Sequence, residues 1–168
     1  NAIVYQYNDV EYKAHVKKVN DFLQKNGLTE IKYLLNDDIY KTILTWWETD
    51  RVNALFESKI VLVEGPTESI FFDICCSDNN YCVVNTIGKL KIPYFKIFFE
   101  NILGIKVMIM YDKDDESNPT HKAFNDWIKS TNSFIENDKD LEDKLGYKAP
   151  KESYKKPQTL IEKYLDNN

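Results

Sequence analysis

The most informative segment of the chain reads KIVLVEGPTE, from Lys59 to Glu68. Its run of β-branched and aliphatic residues is typical of a strand that is buried on both faces of a parallel sheet. A proline favours the first position of a helix, and an acidic residue in the first turn is a second signal of a helix start. We therefore predict a strand over residues 60–63 that leads into a helix beginning at Pro66.

The residues that follow alternate between strand-like and helix-like patterns. We predict strands at 81–85, 105–111 and 133–135, and helices at 93–103 and 120–129. Strands that alternate with helices form parallel sheets with right-handed crossovers. The predicted fold class is therefore α/β, with a parallel sheet of about four strands flanked by helices.

The residues before this region have apolar side chains at helical spacing. They predict helices near 9–26 and 36–57. We divide the chain into a helical linker or docking segment at 1–58 and an α/β domain at 59–168. Because the chain starts with Asn1 rather than with methionine, we expect it to be a fragment of a longer protein.

The composition limits the class of protein. A chain of 168 residues forms one ordinary domain, and its 22 basic and 27 acidic residues give a net charge of −5. This charge argues against a basic protein that coats nucleic acid, but not against an enzyme whose acidic site binds metal ions. The three cysteines, Cys75, Cys76 and Cys82, form no CxxC pair and resemble buried thiols of a reducing compartment. No apolar run approaches the ~18 residues of a membrane span, so we expect a cytoplasmic protein without a membrane partner.

Two predicted strands end in pairs of acidic residues. Glu64 closes the first strand and Glu68 follows one turn into the helix, while Asp112 closes the third strand and Asp114 lies two residues further on. The carboxyl ends of parallel strands meet at one edge of a sheet, so four carboxylates would face one small volume if these strands are neighbours. Such a cluster repels itself unless cations lie between the charges. Oxygen ligands without His or Cys favour Mg²⁺ or Mn²⁺.

Each of these features also has a purely structural explanation. Glu68 can interact favourably with the helix dipole, and the acidic run 112–116 can be a solvated turn. Gly65 and Gly88 can be turn residues that adopt positive φ. The coincidence of two acid pairs at the ends of two strands favours the metal site.

Three motifs together resemble the Toprim domain of topoisomerases, bacterial primases and OLD-family nucleases. They are IVLVEGPTE at 60–68, NTIGK at 85–89 and YDKD at 111–114. The preceding RVNALFESK at 51–59, together with the LVEGPTE form, resembles the OLD (overcoming lysogenization defect) endonucleases in particular. The resemblance extends over residues 51–165 and implies a Toprim, Rossmann-like fold.

This resemblance implies a DNA endonuclease that depends on Mg²⁺ or Mn²⁺ and uses two metal ions. The implied metal ligands are Glu64, Glu68, Asp112 and Asp114, with Glu142 assigned to a second metal because it lies in an acidic DLE segment. Glu64 would also be a catalytic residue. Two metal ions can activate water and stabilise both the attacking and the leaving oxygen of a phosphodiester.

The resemblance also assigns a lysine and a glycine loop. Lys156, in a late Lys-Pro element, would be catalytic and lie near the scissile phosphate. Gly65 and Gly88 would form the glycine loop, where the family often has two adjacent glycines and this chain has Ile87-Gly88. The resemblance leaves open whether three further acids contact metal: Asp115, Glu116 and Asp140.

Partners follow from the same resemblance. DNA would be the substrate, and the full-length protein would contain an N-terminal ABC-type ATPase domain. ATP would act only through that domain, because this chain has no GxxxxGK[ST] motif. A homodimer is a further option.

Two alternatives remain open. The chain can be a non-catalytic Toprim-like module for interaction or dimerisation, with residues 1–58 as a docking arm. It can also be a phosphatase with a DxD motif, although in that class the motif opens the domain, whereas here it ends the third strand. Metal-dependent nicking of DNA, compared with hydrolysis of a small phosphomonoester, distinguishes these classes.

Overall fold

The fold is α/β, as the sequence predicts. The computed structural model of the chain describes residues 9–36, 54–55, 58–75, 81–138 and 140–165. These residues form a four-stranded, all-parallel sheet flanked by helices. The helix predicted at 36–57 lies outside the described residues, except at positions 36, 54 and 55.

The elements alternate along the chain. The strands are β1 (Lys59–Val63), β2 (Cys82–Asn85), β3 (Lys106–Asp112) and β4 (Phe134–Asn137). The helices are α1 (Asp9–Lys25), α2 (Pro66–Cys75), α3 (Ile92–Lys96), α4 (Pro119–Ser130), α5 (Leu141–Lys144) and α6 (Lys156–Leu165). The strand order across the sheet is β2-β1-β3-β4. None of the helices in the described parts of the chain is long and apolar enough to cross a membrane.

The two central strands, β1 and β3, determine where the acidic residues lie. All residues of β1 after Lys59 are buried, as expected for a strand covered on both faces. Val63 is in register with Met110, and the two strands are parallel. The residues that follow these two positions therefore lie at the same edge of the sheet. The first and third predicted strands are neighbours, and both acid pairs lie at this one edge.

The hydrophobic core extends from the sheet to the N-terminal helix. Tyr12 and Leu23 of α1 are fully buried in one cluster with Phe95 and Phe99. α1 also contacts α4. The described part of the segment 1–58 thus packs against the α/β domain, and the boundary at residue 58 stays a prediction.

The helix predicted at 93–103 changes its winding along its length. α3 continues as a π-helical turn over Ile97–Ile102, in which Leu103 N donates a hydrogen bond to Phe98 O (3.1 Å). The chain then leaves the helix at Gly104, whose φ of +69° is a conformation that glycine adopts easily.

β4 is longer at its carboxyl end than the predicted strand 133–135. It continues to Asn137 because this residue is in register with Asp112 of β3. The extension brings an amide side chain to the edge where the acidic residues lie.

The predicted burial of the cysteines is wrong for Cys75 and only partly met by Cys82. Cys75 is exposed, since it is the last residue of α2, and Cys82 is half-buried because β2 is an edge strand. Cys76 lies outside the described residues. The burial of these two cysteines therefore does not support the predicted reducing compartment.

The loop after β2 contains a strained residue. Ile87 has a φ of +57°, and its side chain is 57% exposed. Left-handed backbone costs an L-residue roughly 1–2 kcal/mol, and a β-branched residue adopts it rarely. Two hydrogen bonds fix the loop, one from Ile87 N to Asn85 Oδ1 (2.8 Å) and one from Gly88 N to Glu64 O (2.8 Å). The strain lies where the resembled family often has glycine.

Replacing Ile87 with glycine should stabilise the domain. Ile87→Gly removes the steric cost of the positive φ, and a gain of roughly 1 kcal/mol remains after the larger chain entropy of unfolded glycine is subtracted. For a chain of this size, that gain corresponds to ~2–4 °C in Tm, measured by circular dichroism. The control is Leu90→Gly in the 3₁₀ turn Lys89–Lys91, which should lower Tm. An unchanged or lower Tm for Ile87→Gly would show that the positive φ of Ile87 does not destabilise the domain.

Candidate metal centre

Five carboxylates and two lysines lie together at the carboxyl edge of the sheet. They come from the ends of β1 and β3, from the starts of α2, α5 and α6, and from the loop after β2. We call Glu64, Asp114 and Lys89 the first half of the site, and Glu68, Glu142 and Lys156 the second half. Asp112 interacts electrostatically with the acids of both halves.

The ammonium of Lys89 lies at the centre of the first half. Its Nζ donates to Asp114 Oδ2 (2.6 Å) and to the carbonyl oxygen of Asp112. It also donates to Asn125 Oδ1 (3.2 Å) and lies 3.5 Å from Glu64 Oε1. Lys89 is only 7% exposed, so three protein acceptors replace the water that an ammonium normally binds.

The first half opens into a cleft of about 390 Å³. Asp114 lines this cleft, and its backbone is in the left-handed region (φ +55°), which aspartate tolerates better than most residues. The cleft is also lined by Tyr33, Leu90 and His121. This half of the site is therefore accessible from solvent on the side of the cleft, although its lysine is buried.

The second half contains the most deeply buried acid. Glu142 is 1% exposed; its Oε2 accepts a hydrogen bond from Lys156 Nζ (3.4 Å), and its Oε1 lies 3.2 Å from the same nitrogen without accepting a hydrogen bond. Burial raises the pKa of Glu68, and the charge of Glu142 raises it further. A Cβ at Gly65 would lie 3.2 Å from Glu68 Oε2, so the glycine makes room for this carboxylate.

Asp112 links the two halves. Its N–H donates to Glu64 Oε1 (3.0 Å), and its Oδ1 accepts a hydrogen bond from Asn137 Nδ2 (2.9 Å). Burial raises the pKa of Glu64 to about 8 and that of Asp112 to about 7, and neighbouring carboxylates add to both shifts. The charge of Lys89 opposes the shift of Glu64, and the hydrogen bond from Asn137 opposes that of Asp112. Both carboxylates thus lie where negative charge is costly.

The structure brings together every residue that the sequence assigned to metal binding or catalysis, and their roles stay predictions. Each of the three acids that the sequence left open accepts a hydrogen bond within the fold. Asp115 accepts a hydrogen bond from Ser117 N (2.9 Å), and Glu116 accepts one from Asn125 Nδ2 (3.2 Å). Asp140 caps α5 by accepting a hydrogen bond from Asp143 N (2.7 Å).

Sequence reasoning did not identify Lys89 or Asn137 as site residues. Lys89 directly follows Gly88 at the carboxyl edge of a parallel sheet, where functional side chains collect, and this position was a usable signal. Asn137 had no such signal, because the predicted strand ended two residues before it. Asn137 is fully buried, and its Oδ1 accepts no hydrogen bond.

Comparison with known protein families identifies part of the chain. Residues 55–114 match the family model described as overcoming lysogenization defect protein-like, TOPRIM domain. This matched part of the chain belongs to an OLD-like TOPRIM domain. The matched residues include four of the five carboxylates and Lys89, whereas Glu142 and Lys156 lie beyond them. No curated protein and no solved structure matches the chain.

The side chains of this candidate site fit a hard divalent cation by their chemistry. Carboxylate and amide oxygens are the ligands that Mg²⁺ and Mn²⁺ prefer. Two buried oxygens, Glu142 Oε1 and Asn137 Oδ1, accept no hydrogen bond from the described part of the chain. As the side chains stand, no group of three His, Cys, Asp or Glu residues in the described ranges is arranged to hold a metal ion. Metal binding therefore requires side-chain rotation.

The stability of the metal-free TOPRIM domain should fall as pH rises. Between the ordinary pKa values of about 4 and the folded values of about 7 for Asp112 and about 8 for Glu64, the folded state binds more protons than the unfolded state. The free energy of unfolding therefore decreases with pH across this window. Urea unfolding from pH 4.5 to 8.5 in EDTA measures this slope.

A variant at Asp112 tests the origin of the slope. Asp112→Asn cannot lose a proton, so its free energy of unfolding should fall less steeply over the same pH range. Asp73→Asn, which alters an exposed acid of α2, should leave the slope unchanged. A wild-type free energy of unfolding that rises from pH 5 to pH 8 would contradict the assigned shifts.

Proposed function

We propose that this chain cleaves phosphodiester bonds of DNA with the help of Mg²⁺ or Mn²⁺, as the nuclease part of an OLD-type ATPase–nuclease. The main support is the convergence of five carboxylates on one edge of the sheet, four of them buried or partly buried and Asp114 exposed, with one lysine in each half of the site. Buried charge of this density is costly for stability, and a protein keeps it where it serves binding or chemistry. The match to the OLD-like TOPRIM domain agrees with a nuclease-type, metal-binding domain.

The residues that would hold a divalent ion are Glu68, Asp112 and Glu142, with Asn137 beside them. The chemistry that such an ion supplies when bound is activation of water and neutralisation of charge on the phosphate. Asp112 is positioned for this by two hydrogen bonds, one from its own N–H to Glu64 and one that its Oδ1 accepts from Asn137. The carboxylate of Asp112 is thereby oriented before any ligand binds.

Two residues have roles of their own beside the ligands. Glu64, with a pKa raised to about 8, can hold a proton at neutral pH and release it to the leaving oxygen. Lys156 is 30% exposed at its side chain and lies at the start of α6, so its ammonium can turn from Glu142 towards a bound phosphate. There it would offset the negative charge that develops during cleavage.

Metal-dependent nicking tests this function. The chain, or the longer protein that contains it, should convert supercoiled plasmid to nicked plasmid with Mn²⁺ and not with EDTA. It should not hydrolyse p-nitrophenyl phosphate, which a phosphatase with a DxD motif would do. Hydrolysis of the monoester without nicking would overturn the proposal and favour a phosphatase with a DxD motif. If the chain showed neither activity and formed a stable oligomer, the result would favour the non-catalytic interaction module.

Substitution of the acids should separate activity from stability. Asp112→Asn and Glu68→Gln should abolish nicking, while Tm in EDTA stays the same or rises slightly, because each change removes a buried negative charge from a crowded cluster. Thermal unfolding and plasmid nicking of the same preparations measure both quantities. A large loss of Tm in both variants would favour a structural role for these acids.

Loss of Lys156 should slow cleavage without abolishing it. Lys156→Ala should reduce the single-turnover rate about tenfold to a thousandfold, a loss of roughly 1.4–4 kcal/mol in transition-state stabilisation. The matched control is Lys155→Ala, which removes the neighbouring lysine of the pair Lys155–Glu152, exposed on both sides. This control should change mainly the apparent DNA affinity at raised salt. Equal rates for Lys156→Ala and the wild type at saturating DNA would remove this lysine from the site.

A further inference from the structure

Lys89 occupies space that a metal ion would otherwise fill. An ion that bridged Glu64 and Asp114 would lie between their facing oxygens, where the Lys89 Nζ is now 3.5 Å from Glu64 Oε1 and 2.6 Å from Asp114 Oδ2. The first half of the site therefore already contains one positive charge. A divalent ion can enter only if this ammonium leaves.

The ammonium of Lys89 is built into the fold rather than placed there by a flexible side chain. Its third acceptor, Asn125, is fully buried, and Asn125 Nδ2 donates to Lys113 O and to Glu116 Oε1. These two contacts orient the amide so that its oxygen faces the lysine. The ring of Tyr111 lies 5.4 Å from Nζ and adds a cation–π contact.

The backbone of Lys89 is fixed as well. Gly88 N donates to Glu64 O (2.8 Å), and the hydroxyl of the fully buried Thr86 donates to Val63 O (2.9 Å). The loop is thus attached to the end of β1 on both sides of the strained Ile87. Moving the ammonium away would leave a buried charge without acceptors or would break these attachments.

The lysine of the second half is held less firmly. Lys156 has an exposed fraction of 30% at its side chain, against 6% for Lys89, and its described hydrogen bond is a single long one to Glu142 (3.4 Å). The carboxylate of Glu142 is buried and has one oxygen that accepts no hydrogen bond. The second half can therefore release its lysine and offer oxygens to an ion.

We infer that Lys89 is the resident cation of the first half, and that the domain therefore takes up one divalent ion, in the second half, instead of two. This inference rests on the proposed function, since it assumes that the site binds a divalent ion at all. Lys89 is a positioning residue in this account: it holds Glu64 and Asp114 together and takes the place of one of the two metal ions that the resemblance implies. The ammonium supplies a fixed single charge there, independent of the metal concentration.

Counting bound Mn²⁺ tests the inference without measuring cleavage. Electron paramagnetic resonance detects free Mn²⁺, and its loss on titration with the 168-residue chain gives the number of bound ions. We expect one ion for the wild type, with the signal of an isolated Mn²⁺, and two for Lys89→Gln, with the broadened signal of a spin-coupled pair. Lys96→Gln, which alters another buried lysine, paired with Glu100 on its own helix, should bind one ion like the wild type.

The possible outcomes separate the inference from the proposed function. Asp112→Asn should lose the ion, which shows that the count reports this site and not scattered surface acids. Two ions in the wild type, or one ion of unchanged affinity in a folded Lys89→Gln, would overturn the inference and leave the proposed function intact. If Lys89→Gln does not fold, the wild-type count decides by itself. No bound ion in any variant would remove the proposed function, and the inference with it.

Discussion

The parallel pairing of β1 with β3 is the constraint on which the site depends. Because Val63 is in register with Met110, the acids after β1 and those at the end of β3 lie beside each other although 48 residues separate Glu64 from Asp112. The apolar sequence of β1 makes this pairing stable, since a strand buried on both faces has no solvated alternative. A shift of one residue in this register would turn the side chains of β1 to the opposite faces of the sheet.

The acidic residues of the site repel one another, and two lysines partly offset this unfavourable electrostatic energy. Four of the five carboxylates are buried or partly buried, which is costly in free energy, and the two lysines reduce this cost, one in each half of the site. The compensation is unequal, because Lys89 is enclosed by three acceptors whereas the side chain of Lys156 is 30% exposed. The halves of the cluster therefore differ in chemical character although each contains two acids and one lysine.

The sequence predicted the framework better than the details of the site. The strand at 60–63, the helix start at Pro66 and the neighbouring acid pairs follow from local patterns and are present in the structure. Asn137 was missed because its importance comes from a three-dimensional contact with Asp112 that no local pattern contains. Lys89 had a positional signal after Gly88, but its contact with Asn125 is likewise absent from any local pattern. Cys82 was misjudged because an apolar neighbourhood in sequence does not distinguish a central strand from an edge strand, and Cys75 because the same pattern does not show that it ends a helix.

The position of α6 has a consequence for the order in which the site is completed. α6 packs against α2, the helix that contributes Glu68, and Lys156 is its first residue. A polypeptide emerging from the ribosome presents the end of β4 at Asn137 shortly before Glu142, and it presents Lys156 later still. The arrangement of acids and lysines is therefore complete only after most of this chain has been made.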